Sequence, residues 1–350
     1  KKYLLGVYVL CDDLMTKQLQ ERNIVPGEYF GAFFNAINLI FRQLPSSTPR
    51  VRFKVAWIET TSELNYLKKV YRYIKMSDDK YLYGLWSEHI NLTDGQVADT
   101  PTTKQLSQYF KNVDEPYNNS HAIVLFSGRT LYLDQMYHDW KNTDAKSRLI
   151  VHRNPRRAGI CTDQNIVITQ DDGFFSGITY TARRLIRLLG SNYDRAKNTT
   201  CLYRSGMLMG NISKKENYKM SPCTISELTT NLGTDSKQGC LEKKFNSSVA
   251  STRNLPADLF NTDSYCAHLF KGKDNIAGCT QEKWDVSGHP SAGTCQVRCC
   301  YGTIGSSKGS GFTMMIIDAL DGYPCNADGV TDGVCVKGVC ERKPSYKSKQ

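Results

Sequence analysis

Histidine is scarce in this sequence. Six stand among 350 residues, at positions 89, 121, 138, 152, 268 and 289, and no two are three to five apart. That spacing excludes a pair of His ligands on one turn of a helix. No apolar run approaches the ~18 residues that cross a membrane as a helix. Arg-Gly-Asp occurs nowhere, so integrin binding through that tripeptide has no support. Serine and cysteine catalysis leave no local signature, and Cys11 has no recognisable base near it in sequence. No nucleic-acid-binding motif is present. The opening at Lys1, with no signal peptide, reads as a mature form.

Cysteine, by contrast, is plentiful and uneven. Of thirteen, Cys11 stands alone, Cys161, Cys201, Cys223 and Cys240 follow, and eight crowd between Cys266 and Cys340. This pattern predicts a large first domain over residues 1–245, a polar Ser-rich linker over 246–254, and a small disulfide-stapled domain over 255–342. A basic tail, 343–350, follows. The odd total leaves one thiol over, and Cys11 is the candidate. It ends an apolar strand-like run, which favours a buried, inert thiol over an intermolecular bridge. Sequons at Asn91, Asn118, Asn198, Asn211 and Asn246, together with the cysteines, point to the secretory pathway and an extracellular glycoprotein.

Strands and helices alternate through the first domain. Tyr3 to Leu10 is an apolar strand, and Phe30, Phe33, Phe34, Ile37, Phe41 and Leu44 recur at helical spacing after Pro26-Gly27. Arg50 to Ile58 alternates, which places Val51, Phe53, Val55 and Trp57 on one face of a strand. Leu64 to Ile74 and Lys104 to Phe110 read as helices, and His121 to Phe126 and Ile166 to Thr169 as short buried strands. The order argues an α/β fold with a mostly parallel, twisted sheet.

The chemistry concentrates in one segment, Thr181-Ala182-Arg183-Arg184-Leu185-Ile186-Arg187-Leu188-Leu189-Gly190-Ser191-Asn192-Tyr193-Asp194. It has the frame of H-E-x-x-H-x-x-G-x-x-H, in which three His bind zinc and the Glu acts as general base. Arg183, Arg187 and Tyr193 occupy the ligand positions and Arg184 the base position, while Gly190 keeps the turn. An arginine carries only donors, so it neither ligates zinc nor accepts a proton. The bland reading is an amphipathic helix with Ala182, Leu185, Ile186 and Leu189 inward and the arginines in water.

The surrounding motifs resemble the reprolysin-type metzincins, the group of snake-venom metalloproteases, ADAMs and ADAMTS proteins, and look most like secreted salivary members from ticks. The resemblance rests on Gly159-Ile160-Cys161, the strand at Ile166, Asp172-Gly173, Thr181-Ala182, Cys201, Gly206-Met207-Leu208-Met209-Gly210, Ser221-Pro222-Cys223-Thr224 and Cys240-Leu241, in that order. It covers roughly residues 3–245. Further on, Leu255-Pro256-Ala257-Asp258-Leu259-Phe260, Tyr265-Cys266 and Asp321-Gly322-Tyr323-Pro324-Cys325 resemble an ADAMTS disintegrin-like module. The Cys299-Cys300 doublet departs from that module's spacing and leaves its pairing open. The resemblance implies a metzincin-like fold, bridges Cys161–Cys240 and Cys201–Cys223, and Met209 as the Met-turn residue.

From this follow the functional expectations. The chain is read as a pseudoenzyme with its zinc site lost and no cofactor, which binds host extracellular or plasma proteins concerned with haemostasis or inflammation. An active zinc endopeptidase with a non-standard site is one alternative. The other takes its cue from a net charge of +11. Basic runs at 152–157, Lys214-Lys215, Lys243-Lys244 and 342–349 suit heparan sulfate or another polyanion, or simply a solubilising surface. Within the arginine segment two outcomes stand open. Asp171, Asp172 and Asp194 neutralise the guanidinium groups, or the cleft takes an anion.

Overall fold

The computed structural model describes residues 1–60, 96–98, 103, 106–107, 110, 120–132, 157–194, 201–202, 206–210, 218–234, 239–279, 295–302, 312–327 and 330–342. The chain divides into two compact units, Lys1–Thr252 and Arg253–Gln350.

The first unit is built on β1 (Lys2–Cys11), β2 (Arg50–Glu59), β4 (Ala122–Ser127) and β6 (Ile166–Gln170), which form a sheet in the order β2-β1-β4-β6. All three pairings are parallel. Between them lie α1 (Asp13–Glu21) and α2 (Pro26–Phe41), with a small parallel pair of β3 (Gln96–Ala98) and β5 (Thr130–Tyr132) set apart. The fold is therefore mixed α/β with a parallel sheet. The helix read at 64–74 lies outside the described residues, and of the one read at 104–110 only positions 106, 107 and 110 are described, each helical.

The ends of α1 and α2 follow from local chemistry. Asp12 caps α1, its Oδ1 accepting the Met15 amide at 2.7 Å. Pro26 begins α2, where a missing amide hydrogen costs nothing. The aromatic stripe of α2 then packs on the sheet. Phe30 and Phe33 meet Phe126 at centroid distances of 4.6 and 4.8 Å, and Phe41 meets Phe53 at 5.1 Å. Truncating one such ring to Ala costs about 3–5 kcal/mol.

One expectation for β2 fails. Val51, Phe53 and Val55 are buried as a set, but the register with β1 shifts between Val7 and Tyr8. Val7 pairs with Val55 and Tyr8 with Trp57, so one extra residue enters β2. This bulge turns Trp57 to the opposite face, where it is 40% exposed. Simple alternation cannot anticipate an inserted residue.

The segment read as linker, 246–254, is packed over residues 246–252, as is Phe245 before it. Phe245 lies on the bare backbone of Gly6 and edge-on to His121. The Ser248 amide and the Ser247 hydroxyl then bond to the carbonyls of Ala56 and Val55, and Asn35 donates to the Thr252 carbonyl. The strap wraps the outer edge of β2 and satisfies backbone groups that an edge strand leaves open.

The second unit holds α5 (Pro256–Leu259) and α6 (Thr262–Leu269) with two antiparallel sheets, labelled after α3 (Ile178–Leu188) and α4 (Pro222–Gly233) of the first. One sheet is β7 (Ala277–Gly278), β8 (Gln296–Gly302) and β9 (Phe312–Asp318). The other is β10 (Pro324–Ala327), β11 (Val330–Val336) and β12 (Val339–Arg342). Its core is small and half made of cystine, with Cys295, Cys325 and Cys335 around Val297 and Ala319. Covalent staples take the place of a large apolar core. Four bridges join Cys266–Cys299, Cys279–Cys300, Cys295–Cys335 and Cys325–Cys340, so the two halves of the doublet take different partners.

Candidate functional site

The arginine segment forms α3, and its entry is fixed from within the core. Asp171, fully buried at the end of β6, accepts the amides of Gly173 and Gly177 at 2.8 Å each and the hydroxyl of Tyr29. Tyr29 in turn accepts the Phe175 amide at 2.9 Å and stacks on the Phe175 ring at 4.3 Å. Gly177, the N-cap of α3, brings no side chain to cap the helix, and its own amide is held by Asp171. Burial raises the Asp171 carboxyl to about 6 and pushes the Tyr29 hydroxyl well above its ordinary value.

The arginines are not in water. Arg183 is 3% exposed and Arg184 1%, while Arg187 is half-buried. Arg183 donates to the Gly210 carbonyl at 2.9 Å and lies 5.3 Å from the centroid of the Tyr193 ring. Arg187 lies over the same ring, also at 5.3 Å. Arg184 donates to the Tyr180 hydroxyl at 2.5 Å and sits 4.5 Å over its ring. Asp171 does not neutralise the arginines as expected, since its two oxygens are committed to Tyr29, Gly173 and Gly177. Asp172 Oδ1 caps the Phe174 amide. At Asp194 the Arg183 charge partly offsets the upward push of burial on the carboxyl. A carbonyl and two aromatic faces are among the partners these guanidinium groups meet, and a flat guanidinium stacks well on such a face.

The exit from α3 is equally determined. Gly190 has φ of +114°, and a Cβ there would stand 2.5 Å from the Asn231 side chain. Arg157 donates to the Gly190 carbonyl at 2.7 Å, and Glu227 of α4 accepts from Ser191 and from both nitrogens of Asn192. These donors hold the Glu227 carboxyl below its ordinary range despite burial. The chain then delivers Tyr193 to the arginines and Asp194 to the buried Met209, whose carbonyl accepts the Asp194 amide at 3.0 Å. Asp194 Oδ1 accepts the hydroxyl of Ser221, the N-cap of α4. Positions 183, 187 and 193 thus meet beside the chain at 209–210, some 16 or more residues further on.

The donor set at that place can be weighed against zinc. Two guanidinium groups and a phenol between them occupy the three ligand positions, and a third guanidinium the base position. Four groups of this kind offer no neutral nitrogen and three fixed positive charges, and they do not fit a dication. Elsewhere among the described residues, Cys295, Cys325 and Cys335 bring their sulfurs within 4.8 Å of one another. All three are in disulfides and present no thiolate.

In the first unit Cys161 is joined to Cys240 and Cys201 to Cys223. Cys11 is free and buried, with its thiol pushed up by desolvation. His121 locks the Cys240 loop to β1, accepting the Gly6 amide on Nδ1 while Nε2 faces the Cys240 carbonyl at 3.1 Å. Burial lowers its pKa and keeps it neutral. Asn246 is exposed, whereas Asn91, Asn118, Asn198 and Asn211 lie outside the described residues. So do Lys214, Lys215, the tail and all of the 152–157 run except Arg157. Tyr29, Tyr180 and Glu227 escaped the reading of the sequence. Of these, Tyr180 alone had a local signal, standing four residues before Arg184 on the same helix.

No protein-family model matches the chain. Over 186 residues, 50% of this chain, it is 25% identical to a Bombyx mori protein named "A disintegrin and metalloproteinase with thrombospondin motifs like". The chain spans about a quarter of that protein's length, 24%. A solved chain described as "Structure of a chaperone-substrate complex" aligns with 66% of this chain and 34% of its own, at 11% identity and a TM-score of 0.32. So low a score carries no argument. The sequence match supports a distant metalloproteinase-like relationship. Six disulfides and this relative are consistent with an extracellular protein, and no single helix among the described residues is long and apolar enough to cross a membrane.

Proposed function

We propose that this chain is a secreted, metalloprotease-like protein that cleaves nothing and acts by binding extracellular or plasma proteins of a host. One observation carries the reading. The three positions that would hold zinc do converge, but on the Tyr193 ring between Arg183 and Arg187. Arg184, in the place of a general base, is a donor to Tyr180. A guanidinium stays protonated at any physiological pH, so it cannot take a proton from water. The burial of Met209 and the positive φ of Gly190 support reading the segment as such a frame without the metal chemistry. Scaffold and chemistry are separable in this way because a fold does not by itself dictate function.

The test is elemental analysis of the purified protein together with casein and gelatin cleavage, with and without a chelator. Less than a tenth of a zinc per chain and no chelator-sensitive cleavage are expected. Stoichiometric zinc with cleavage would establish an active endopeptidase instead. Pull-down from plasma and from endothelial surface proteins then identifies the partner.

A further inference from the structure

The parallel register of β1 and β2 gathers a row of cations that no basic run in the sequence announces. Lys2 pairs with Arg50, Leu4 with Arg52 and Gly6 with Lys54, so all six share one face of the sheet. The bulge brings Trp57 to the same face, beyond Lys54. Consecutive cations along β2 stand ~6.6 Å apart, two strand residues per step. Lys2, Arg50 and Arg52 are exposed and Lys54 is half-buried. Among the described residues none of the four forms an ion pair. The nearby acids are engaged, Glu242 by Lys1 at 2.6 Å and Glu59 by the Tyr8 hydroxyl. Arg52 and Lys54 also line a recess of about 260 Å³ with Leu4, Asn35 and Ser251, under the strap.

We propose that this face, Lys2, Arg50, Arg52, Lys54 and Trp57, is a docking surface for a sulfated glycosaminoglycan chain. The form is a row on an edge strand rather than a broad patch, which fits a linear polymer. Uncompensated guanidinium and ammonium groups match permanent anions such as sulfate esters. Trp57, 40% exposed, ends the row with an indole face of the kind that stacks on the apolar side of a sugar ring. A polymer of bare charge has no use for that indole, whereas a charged sugar uses both. The inference rests on the reading of the chain as extracellular and adds a location and a ligand class to it.

The experiment measures retention of the full chain on immobilised heparin as a function of NaCl. Arg50→Gln/Arg52→Gln/Lys54→Gln should elute at clearly lower salt and reduce the slope of log Kd against log salt by roughly two to three, about one for each cation removed. Trp57→Ala should weaken binding roughly 3- to 10-fold with the salt slope unchanged, because stacking releases no counterions. Neutralising Arg342, Lys343, Lys347 and Lys349 should leave elution close to that of the unaltered chain. Thermal melting checks that each variant is folded. If the triple variant elutes with the unaltered protein, or if the tail variant accounts for the retention, the proposal is overturned. Loss of binding to phosphatidylserine-containing vesicles, or to a single-stranded oligonucleotide, with heparin retention intact overturns it too. Zinc content and peptidase assays read other residues, so failure here is distinct from failure of the non-catalytic reading.

Discussion

The Arg187 guanidinium lies 5.3 Å from the centroid of the Tyr193 ring, and Arg183 reaches that same ring at the same distance. Two like charges one helical turn apart repel each other. The phenol lies within reach of both and offers each an electron-rich surface. Replacing Tyr193 with Ala removes both attractions and leaves the repulsion, at an expected cost of roughly 1.5–3 kcal/mol. Tyr193→Phe keeps the ring and should cost under about 0.5 kcal/mol by the same reasoning. Urea unfolding of the two variants checks this. Equal losses would mean that the hydroxyl, rather than the ring face, holds the arginines.

Asp171 makes stability depend on pH in an unusual direction. Its folded value, about 6, lies above the ordinary 3.8, so the native state holds the proton more tightly than the unfolded chain. The contribution is fully present below the unfolded value and is lost as pH rises through about 6. About two units amount to roughly 3 kcal/mol. Measured as the difference between the unaltered protein and Asp171→Asn, stability should therefore fall by about that amount from pH ~4 to pH ~7. A flat difference would show that the three donors around Asp171 outweigh its burial.

Gly190, in the turn after α3, and Gly233, at the end of α4, should respond oppositely to alanine. Gly190→Ala must accept a φ of +114° and a contact of 2.5 Å with Asn231. A loss of roughly 2–4 kcal/mol is expected. Gly233, in α4, has nothing within 4 Å of a built Cβ, and Ala there should stabilise by about 0.5–1 kcal/mol. Thermal unfolding that ranks the two the other way round would show that the turn re-forms without its glycine.

Cys11 should behave as an inert thiol. It is buried with its ionisation pushed up, so a thiol reagent should modify the native protein orders of magnitude more slowly than the denatured one. In denaturant without reductant, one thiol per chain should react, with twelve cysteines held in the six bridges. Fast native labelling, or a covalent dimer through Cys11, would place the residue at an accessible surface.

Local pattern settles what neighbours along the chain can settle. The apolar run of β1, the aromatic stripe of α2, the alternation of Arg50 to Val55 and the short run before Gln170 each specify an element, because burial of one face needs only the right period. The same periodicity places Leu185, Ile186 and Leu189 in the core. It says nothing of where the arginines between them go. Alternation likewise put Trp57 with Val55, and a single inserted residue, fixed by the pairing of β2 with β1, turned it to the other face. The partners that define the site come from far away. Tyr29 meets Asp171 across 142 positions and Arg183 reaches Gly210 across 27, while Glu227 closes on Asn192 across 35. Sequence alone determined that this chain has a parallel α/β core, a cysteine-dense second unit and no ligand chemistry at 183, 184 and 187. Only tertiary structure decided what satisfies those cations, because a buried guanidinium takes whichever acceptor or ring the packed core brings within reach, and that choice is made by long-range contacts rather than by spacing.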